Sequence, residues 1–232
     1  MTPVYQVLLI CGLVIFALLT ISLLKKEQSE GLKIFLFTGI VLATSISTLY
    51  LSINTIIKNH RSQTGGPVHW HADFEIFSCG EKVDLVDPVG LSNRIGTLEL
   101  HEHGDNRIHV EGTIAKLSDV SLGRFFQVIG GELGRNYLRV PTNDGELIMQ
   151  DGRSCPDGRK GTLQIFVYQT NDHAISQKKL TSFSDYVLSP YGPIPPGDCI
   201  IFEFTPDIKN KTDKMCDFYK IGIQEGKYQY EN

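Results

Sequence analysis

The chain has 232 residues, with 22 Lys or Arg against 26 Asp or Glu, a formal net charge of −4, and 41% hydrophobic residues. Charge divides along it: residues 1–60 hold four lysines and two glutamates, a net of +2, which leaves 18 basic and 24 acidic residues, a net of −6, for the remainder. An acidic C-terminal portion excludes nucleic acid as the partner, because neutralising phosphates needs clustered Lys and Arg; it suits attraction of cations instead.

Residues 3–24, "PVYQVLLICGLVIFALLTISLL", are almost wholly apolar, with Gln6 the only strongly polar side chain, and residues 34–57 carry no charge. Each reaches the roughly 20 residues that a helix needs to cross a hydrocarbon core, and in lipid the backbone must satisfy itself. Only "MT" precedes the first stretch and "KKEQSEGLK" follows it. A cleaved signal peptide wants a basic leader and a small-x-small site, so the segment reads as a retained anchor. Lys25, Lys26 and Lys33 lie between the spans. The positive-inside rule puts that loop in the cytoplasm. The expected protein is therefore a two-pass cell-membrane protein with the lipid bilayer as a partner. Its N-terminus and everything after residue 60 are extracytoplasmic.

Residues 58–67, "KNHRSQTGGP", are polar and end in a Gly-Gly-Pro turn. With 1–60 as the anchor, 61–67 is a linker and 68–232 one domain, long enough for a real core. Strand patterns dominate it, at 68–77, 81–86, 97–103, 107–114, 137–141, 146–150, 162–169 and 198–204. Turn residues separate them: Cys79-Gly80, Gly104-Asp105-Asn106, Asn143-Asp144-Gly145 and Pro195-Pro196-Gly197-Asp198. One helix stands out. Leu122, Phe125, Phe126 and Ile129 have helical spacing, with Ser118 or Ser121 to cap the start and Gly130-Gly131 to end it. A further short helical turn falls within 183–192. The expected fold class is α+β: two transmembrane helices, then a mostly antiparallel β-rich domain with one or two helices.

Cys79, Cys155, Cys199 and Cys216 lie in the outer portion, and Cys11 in the first span. An even count in an oxidising compartment reads as two disulfides. Three pairings exist. Cys199 with Cys216 is the local one and leaves Cys79 with Cys155; free thiols are the alternative. A four-cysteine zinc site would want a C-x-x-C pair, and none is present.

"VHWHADFEIF", residues 68–77, carries the chemistry. In a strand, successive side chains point to opposite faces. Trp70, Ala72, Phe74 and Ile76 then face a core, and His69, His71, Asp73 and Glu75 share the other face. The same parity sets Glu99, His101 and His103 opposite Leu98 and Leu100, and Arg107, His109 and Glu111 opposite Ile108 and Val110. The Gly104–Asn106 turn makes the last two strands hairpin partners. If the first strand neighbours them, His69, His71, His101, His103 and His109 gather on one surface, five of seven histidines within 41 residues. Two H-x-H pairs on adjacent strands can reach one ion at bonds near 2.0 Å. Neutral imidazole suits Zn, Cu, Fe and Ni, so the expected cofactor is a transition metal ion, copper or zinc. Asp73, Glu75, Asp105 and Glu111, with Glu99 and Glu102, are candidates to hold the rings' second nitrogens. The other readings of the face are a solvated polar surface or a pH-sensing cluster. His60 and His173 read as surface residues.

"HWHADFEIF", "LHEHGDNRIHVEG" and "SLGRFFQVIGG" together resemble an uncharacterised extracytoplasmic domain family of bacteria and archaea. Its members, often membrane-anchored, show H-x-H-A, then L-H-T-H-D, I-H-I-E and L-G-x-F-F. By position the resemblance covers His69, His71, His101, His103, His109 and Glu111, and Leu122, Gly123, Phe125 and Phe126. It implies a site, with no established activity attached. Here Gly104 intervenes before Asp105, and Asp73 stands where a longer run has a third histidine. A second resemblance, to the cupin motif, rests on His69-x-His71-x-x-x-Glu75. Gln63 and Lys82 stand where that motif has glycine, and its later P-x-G-x-x-H half is missing. Three function classes follow: a tethered protein for copper or zinc acquisition, buffering or delivery; a metal-dependent hydrolase or oxidoreductase using Glu75, Glu102 or Glu111; or an envelope interaction module with a protein partner and no metal. Neither an H-E-x-x-H helix nor a Ser-His-Asp arrangement is evident in the sequence.

Overall fold

The computed structural model describes residues 3–171, 174–188 and 197–230. It divides into two compact units, Met1–Arg61 and Ser62–Asn232.

The first unit is a pair of helices, α1 (Pro3–Leu24) and α2 (Glu30–Arg61), each long and apolar enough to cross a bilayer. Their seam is made by Cys11 and Leu18 on α1 and Leu36 and Ala43 on α2, each pair seven residues apart and buried. Gly39 lets the helices close, since a Cβ there would stand 2.7 Å from Leu18 Cδ1. Small residues serve this purpose in apolar helix pairs. The outer faces stay apolar and open, with Phe16 and Phe37 about 70% exposed. The helix α2 runs past the expected end of the span at residue 57 and takes in Arg61, the first residue of the expected linker. Lys58, His60 and Arg61 occupy its last turn, where cations favour the carbonyl end of the helix dipole.

The second unit is built on a nine-stranded sheet among the described residues. Its strands are β1 (Pro67–Ser78), β2 (Glu81–Val83), β3 (Ile95–Gly96), β4 (Leu100–Glu102), β5 (Arg107–Thr113), β9 (Thr162–Asn171), β10 (Ala174–Lys179), β11 (Asp198–Thr205) and β12 (Gln229–Tyr230). They run in the order β12-β10-β9-β11-β1-β5-β4-β3, with β2 also on β1. A separate antiparallel sheet holds β6 (Glu132–Leu133), β7 (Tyr137–Thr142) and β8 (Gly145–Gln150). The architecture is α+β, but the main sheet is mixed. β1 pairs parallel with β11, and β10 with β12. Most pairings are antiparallel, as expected; the parallel pairing of β1 with β11 was not foreseen, because the two lie over 100 residues apart and no turn between them signals their direction.

Every residue of β11 is buried, as befits a central strand covered on both sides. On one side Ala72, Phe74, Ile76, Ile200 and Phe202 pack under α3 (Leu122–Val128) and the small sheet, meeting Phe125, Phe126, Leu138 and Val140. Ser121 caps α3, its hydroxyl accepting from Arg124 N at 3.3 Å. On the other side Phe77, Phe166, Tyr168, Cys199 and Ile201 pack under Tyr219 of α4 (Asp217–Gln224). The helix α4 was not expected; the described part of 183–192 is a turn instead. Two disulfides join Cys79 to Cys155 and Cys199 to Cys216, closing separations of 76 and 17 residues. Cys11 is free and buried.

Candidate metal centre

The histidine face is the part of the second sheet surface reached by β1, β5 and β4. Register fixes the arrangement. His71 lies opposite His109, and His109 opposite His101, so three imidazoles form a row across three strands. His69 lies opposite Glu111, with Nε2 3.1 Å from Glu111 Oε1. Ring centroids of His71 and His109 are 4.8 Å apart, those of His101 and His103 4.8 Å, and those of His103 and His109 4.8 Å. The His101 and His109 rings stack at 5.4 Å and 6°.

Two triads result, His69 with His71 and His109, and His101 with His103 and His109; within each, one nitrogen per ring lies within 4.8 Å of the others. Zn–N bonds near 2.0 Å in a tetrahedral site put nitrogens about 3.3 Å apart. The rings must therefore draw in by about 1.5 Å at most, a modest side-chain adjustment.

Partners of the ring nitrogens set what they can offer. His103 Nδ1 lies 2.5 Å from the carbonyl oxygen of Asn93. A carbonyl only accepts, so Nδ1 carries the proton and Nε2 keeps its lone pair. Asn93 has a left-handed backbone, φ 44°, which Asn tolerates better than most residues. His71 Nδ1, His101 Nδ1 and His109 Nε2 are buried without a hydrogen-bond partner among the described residues. The Asp105 carboxylate stands 3.5 Å from His109 Nε2, too long for a strong bond.

Electrostatics favour the neutral form of His71 and His101. Burial, then the neighbouring His109, His69 and Arg107 charges, lower the His71 pKa to about 4. Burial and His109 also lower that of His101. Burial works to raise the Asp105 carboxyl, but His109 and Arg107 outweigh it and hold it below the usual range. Neutral imidazole is the ligating form.

The candidate carboxylates divide. Asp105 and Glu111 lie beside rings, His109 and His69 respectively. Asp73 instead takes Arg107 in a two-pronged pair, Nε to Oδ1 at 2.5 Å and Nη2 to Oδ2 at 3.1 Å. Glu75 is 4% exposed and faces Lys82 and Lys220, not histidine; burial raises its pKa against the pull of both lysines. Glu102 is buried and uses Oε1 to accept from Asp105 N and Asn106 N at 2.6 and 3.1 Å. It closes the hairpin turn. Glu99 is exposed. No local pattern singles out Asn93 or pairs Asp73 with Arg107, although Arg107 alternates with His109 and Glu111. His60 lies in the last turn of α2, and His173 lies outside the described residues.

All five histidines therefore meet on one surface, with nitrogen donors dominant. Such a set can take a borderline or soft divalent ion in preference to Ca²⁺ or Mg²⁺, which want oxygen. No protein-family model, curated protein or solved structure matches the chain.

Proposed function

We propose that the protein is a membrane-anchored, extracytoplasmic binder of a transition metal ion, copper or zinc, serving its acquisition, buffering or delivery. One observation carries the reading. Three buried imidazole nitrogens on adjacent strands, of His71, His101 and His109, have no hydrogen-bond partner among the described residues. Such a group costs about 1–3 kcal/mol when fully unpartnered, and an ion held by either triad engages His109 together with His71 or with His101, removing part of that cost. The apolar helices α1 and α2 supply the anchor, the basic loop between them faces the cytoplasm, and the disulfides suit an oxidising exterior. Binding is favoured over catalysis because the carboxylates beside the rings, Asp105 and Glu111, already lean on histidine, and Glu102, on the opposite side of β4, is occupied with a turn.

The test uses the full chain, untagged, in lipid nanodiscs. Metal analysis after equilibration with micromolar Zn²⁺ or Cu²⁺ gives a stoichiometric ion, and the paired change His101→Ala with His103→Ala weakens its retention by about 100-fold while the fold persists. Absence of bound metal in the unaltered protein refutes the reading. For the topology, Ser29→Cys is protected from an impermeant maleimide in intact cells and labelled after lysis; labelling in intact cells reverses the orientation.

A further inference from the structure

Five histidines form two triads and His109 belongs to both. A neutral imidazole has one lone pair, so His109 can serve one triad at a time. The triads lie on opposite flanks of it. His69 and His71 come from β1, His101 and His103 from β4 and its end, and β5 runs between them. With strands about 4.8 Å apart, β1 and β4 are about 10 Å apart.

The two flanks differ in access. The His69 side chain is 50% exposed, and His71 is half-buried. On the other flank His101 is 1% exposed, while His103 is half-buried like His71 and is held by the Asn93 carbonyl with its Nε2 lone pair left free; the difference in access therefore lies between His69 and His101. Charge also argues against two ions at once. Only two carboxylates, Asp105 and Glu111, contact these rings among the described residues, and the next carboxylate on the β1 face, Asp73, is neutralised by its pair with Arg107. Two divalent ions would stand on either side of one uncharged ring with little to offset their repulsion.

Resting on the metal-binding reading above, we propose that the cluster is a two-station relay for a single ion. The ion is captured at the open station of His69, His71 and His109, then passes to the closed station of His101, His103 and His109. His109 stays bound while the two β1 nitrogens leave and the two β4 nitrogens take their place. Two metal–nitrogen bonds break and two form, with no change of oxidation state and no other reactant. The pivot removes the need for a bare ion between stations, which is what makes the passage fast. Run backwards, the same exchange presents the ion at the surface for delivery.

Rapid-mixing kinetics with Zn²⁺ and a competing chromophoric chelator, on the full chain in nanodiscs, test this. The unaltered protein binds one ion. Changing His69→Ala with His71→Ala slows capture by about tenfold or more and leaves the final affinity within about threefold. Changing His101→Ala with His103→Ala keeps the capture rate and weakens retention by about 100-fold. His109→Ala loses both. Should a pair of alanines unfold the domain by circular dichroism, the corresponding pair of glutamines, which stay polar, takes its place. Two ions bound per chain, or equal loss of affinity in both pairs at an unchanged capture rate, overturns the relay and leaves metal binding standing. No ion bound at all removes both.

Discussion

The cost of keeping unpartnered imidazole inside the protein can be measured at His101. Its ring is 1% exposed and its Nδ1 has no hydrogen-bond partner among the described residues. A buried polar group in that state costs about 1–3 kcal/mol. The change His101→Phe keeps an aromatic ring of similar size and removes the polar atoms. The metal-free protein should then gain about 1 kcal/mol after allowance for slight overpacking. For an ectodomain unit of 171 residues, Ser62–Asn232, that raises the melting temperature by about 2–4 °C. His101→Ala, by contrast, opens a cavity and should lose about 2 kcal/mol or more. Zinc at about 100 times its dissociation constant should add about 2.7 kcal/mol to the unaltered protein and far less to either variant. Urea unfolding of the full chain, followed by the fluorescence of the single tryptophan, Trp70, which packs against the main core, reads all three. With chelator present, the order should be Phe above His above Ala. If Phe falls to the level of Ala in chelator, or keeps the full zinc response, the reasoning from the unpartnered nitrogen is wrong.

Acidity should act in a defined window. The folded His71 pKa lies at about 4 against 6.5 for the free side chain, so the unfolded chain binds the proton more readily. Metal-free stability is therefore flat above pH 6.5 and falls as pH drops from 6.5 towards 4; urea midpoints in chelator check this, and His71→Phe should flatten that part of the slope. Gly197 sits against the β1 backbone, where a Cβ would lie 1.6 Å from the His71 carbonyl oxygen. Gly197→Ala should lower stability by about 1–3 kcal/mol or more and weaken zinc binding, both read by the same unfolding and titration assays. Replacing Cys199 and Cys216 by alanine removes a link across 17 residues and should cost about 3 kcal/mol. Zinc affinity measured below the unfolding transition should hardly change, because that link lies under α4.

The site was readable because β parity is a local property. Two H-x-H pairs and His109 fall on one face whenever their strands pair, and the Gly104–Asn106 turn made β4 and β5 neighbours. What the period-2 pattern cannot convey is how far a face stays polar. The odd-numbered face of β1 begins with His69 and His71 and ends at Glu75 and Phe77, beneath α4. Glu75 was grouped with the histidines by parity alone, yet about 13 Å of strand separates it from His71. The helix α4 escaped notice because it is two turns long and contains Gly222; its cover comes from tertiary packing, which outweighs propensity at such lengths. The strand β10, "AISQKK", is polar at four consecutive positions, 176–179, and carries little of the β-branched signature. The parallel pairing of β1 with β11 needs contacts between distant stretches, which no local pattern encodes.

If the cluster binds metal as proposed, Arg107 would decide what kind of ion it accepts. It lies opposite Asp73 on the neighbouring strand, grips both carboxylate oxygens, and rests 6.0 Å from the ring centre of Phe218 on α4. Asp73 follows His71 by two residues on the same face. Without the guanidinium its carboxylate would point its charge at the open triad. The pair thus hides an oxygen ligand and keeps the donor set almost wholly nitrogen, which disfavours hard cations. Arg107→Met preserves much of the side chain's bulk and frees the carboxylate. The metal-free domain should lose about 1–3 kcal/mol, the cost of an unpaired, partly buried carboxylate. Zinc affinity should rise about tenfold, and Mn²⁺, which prefers oxygen, should begin to bind. Adding Asp73→Asn to Arg107→Met should cancel both gains. An unchanged or weaker zinc affinity in a folded Arg107→Met protein, by isothermal titration, would show that Asp73 is held for the architecture of β1 and β5 and has no influence on the metal.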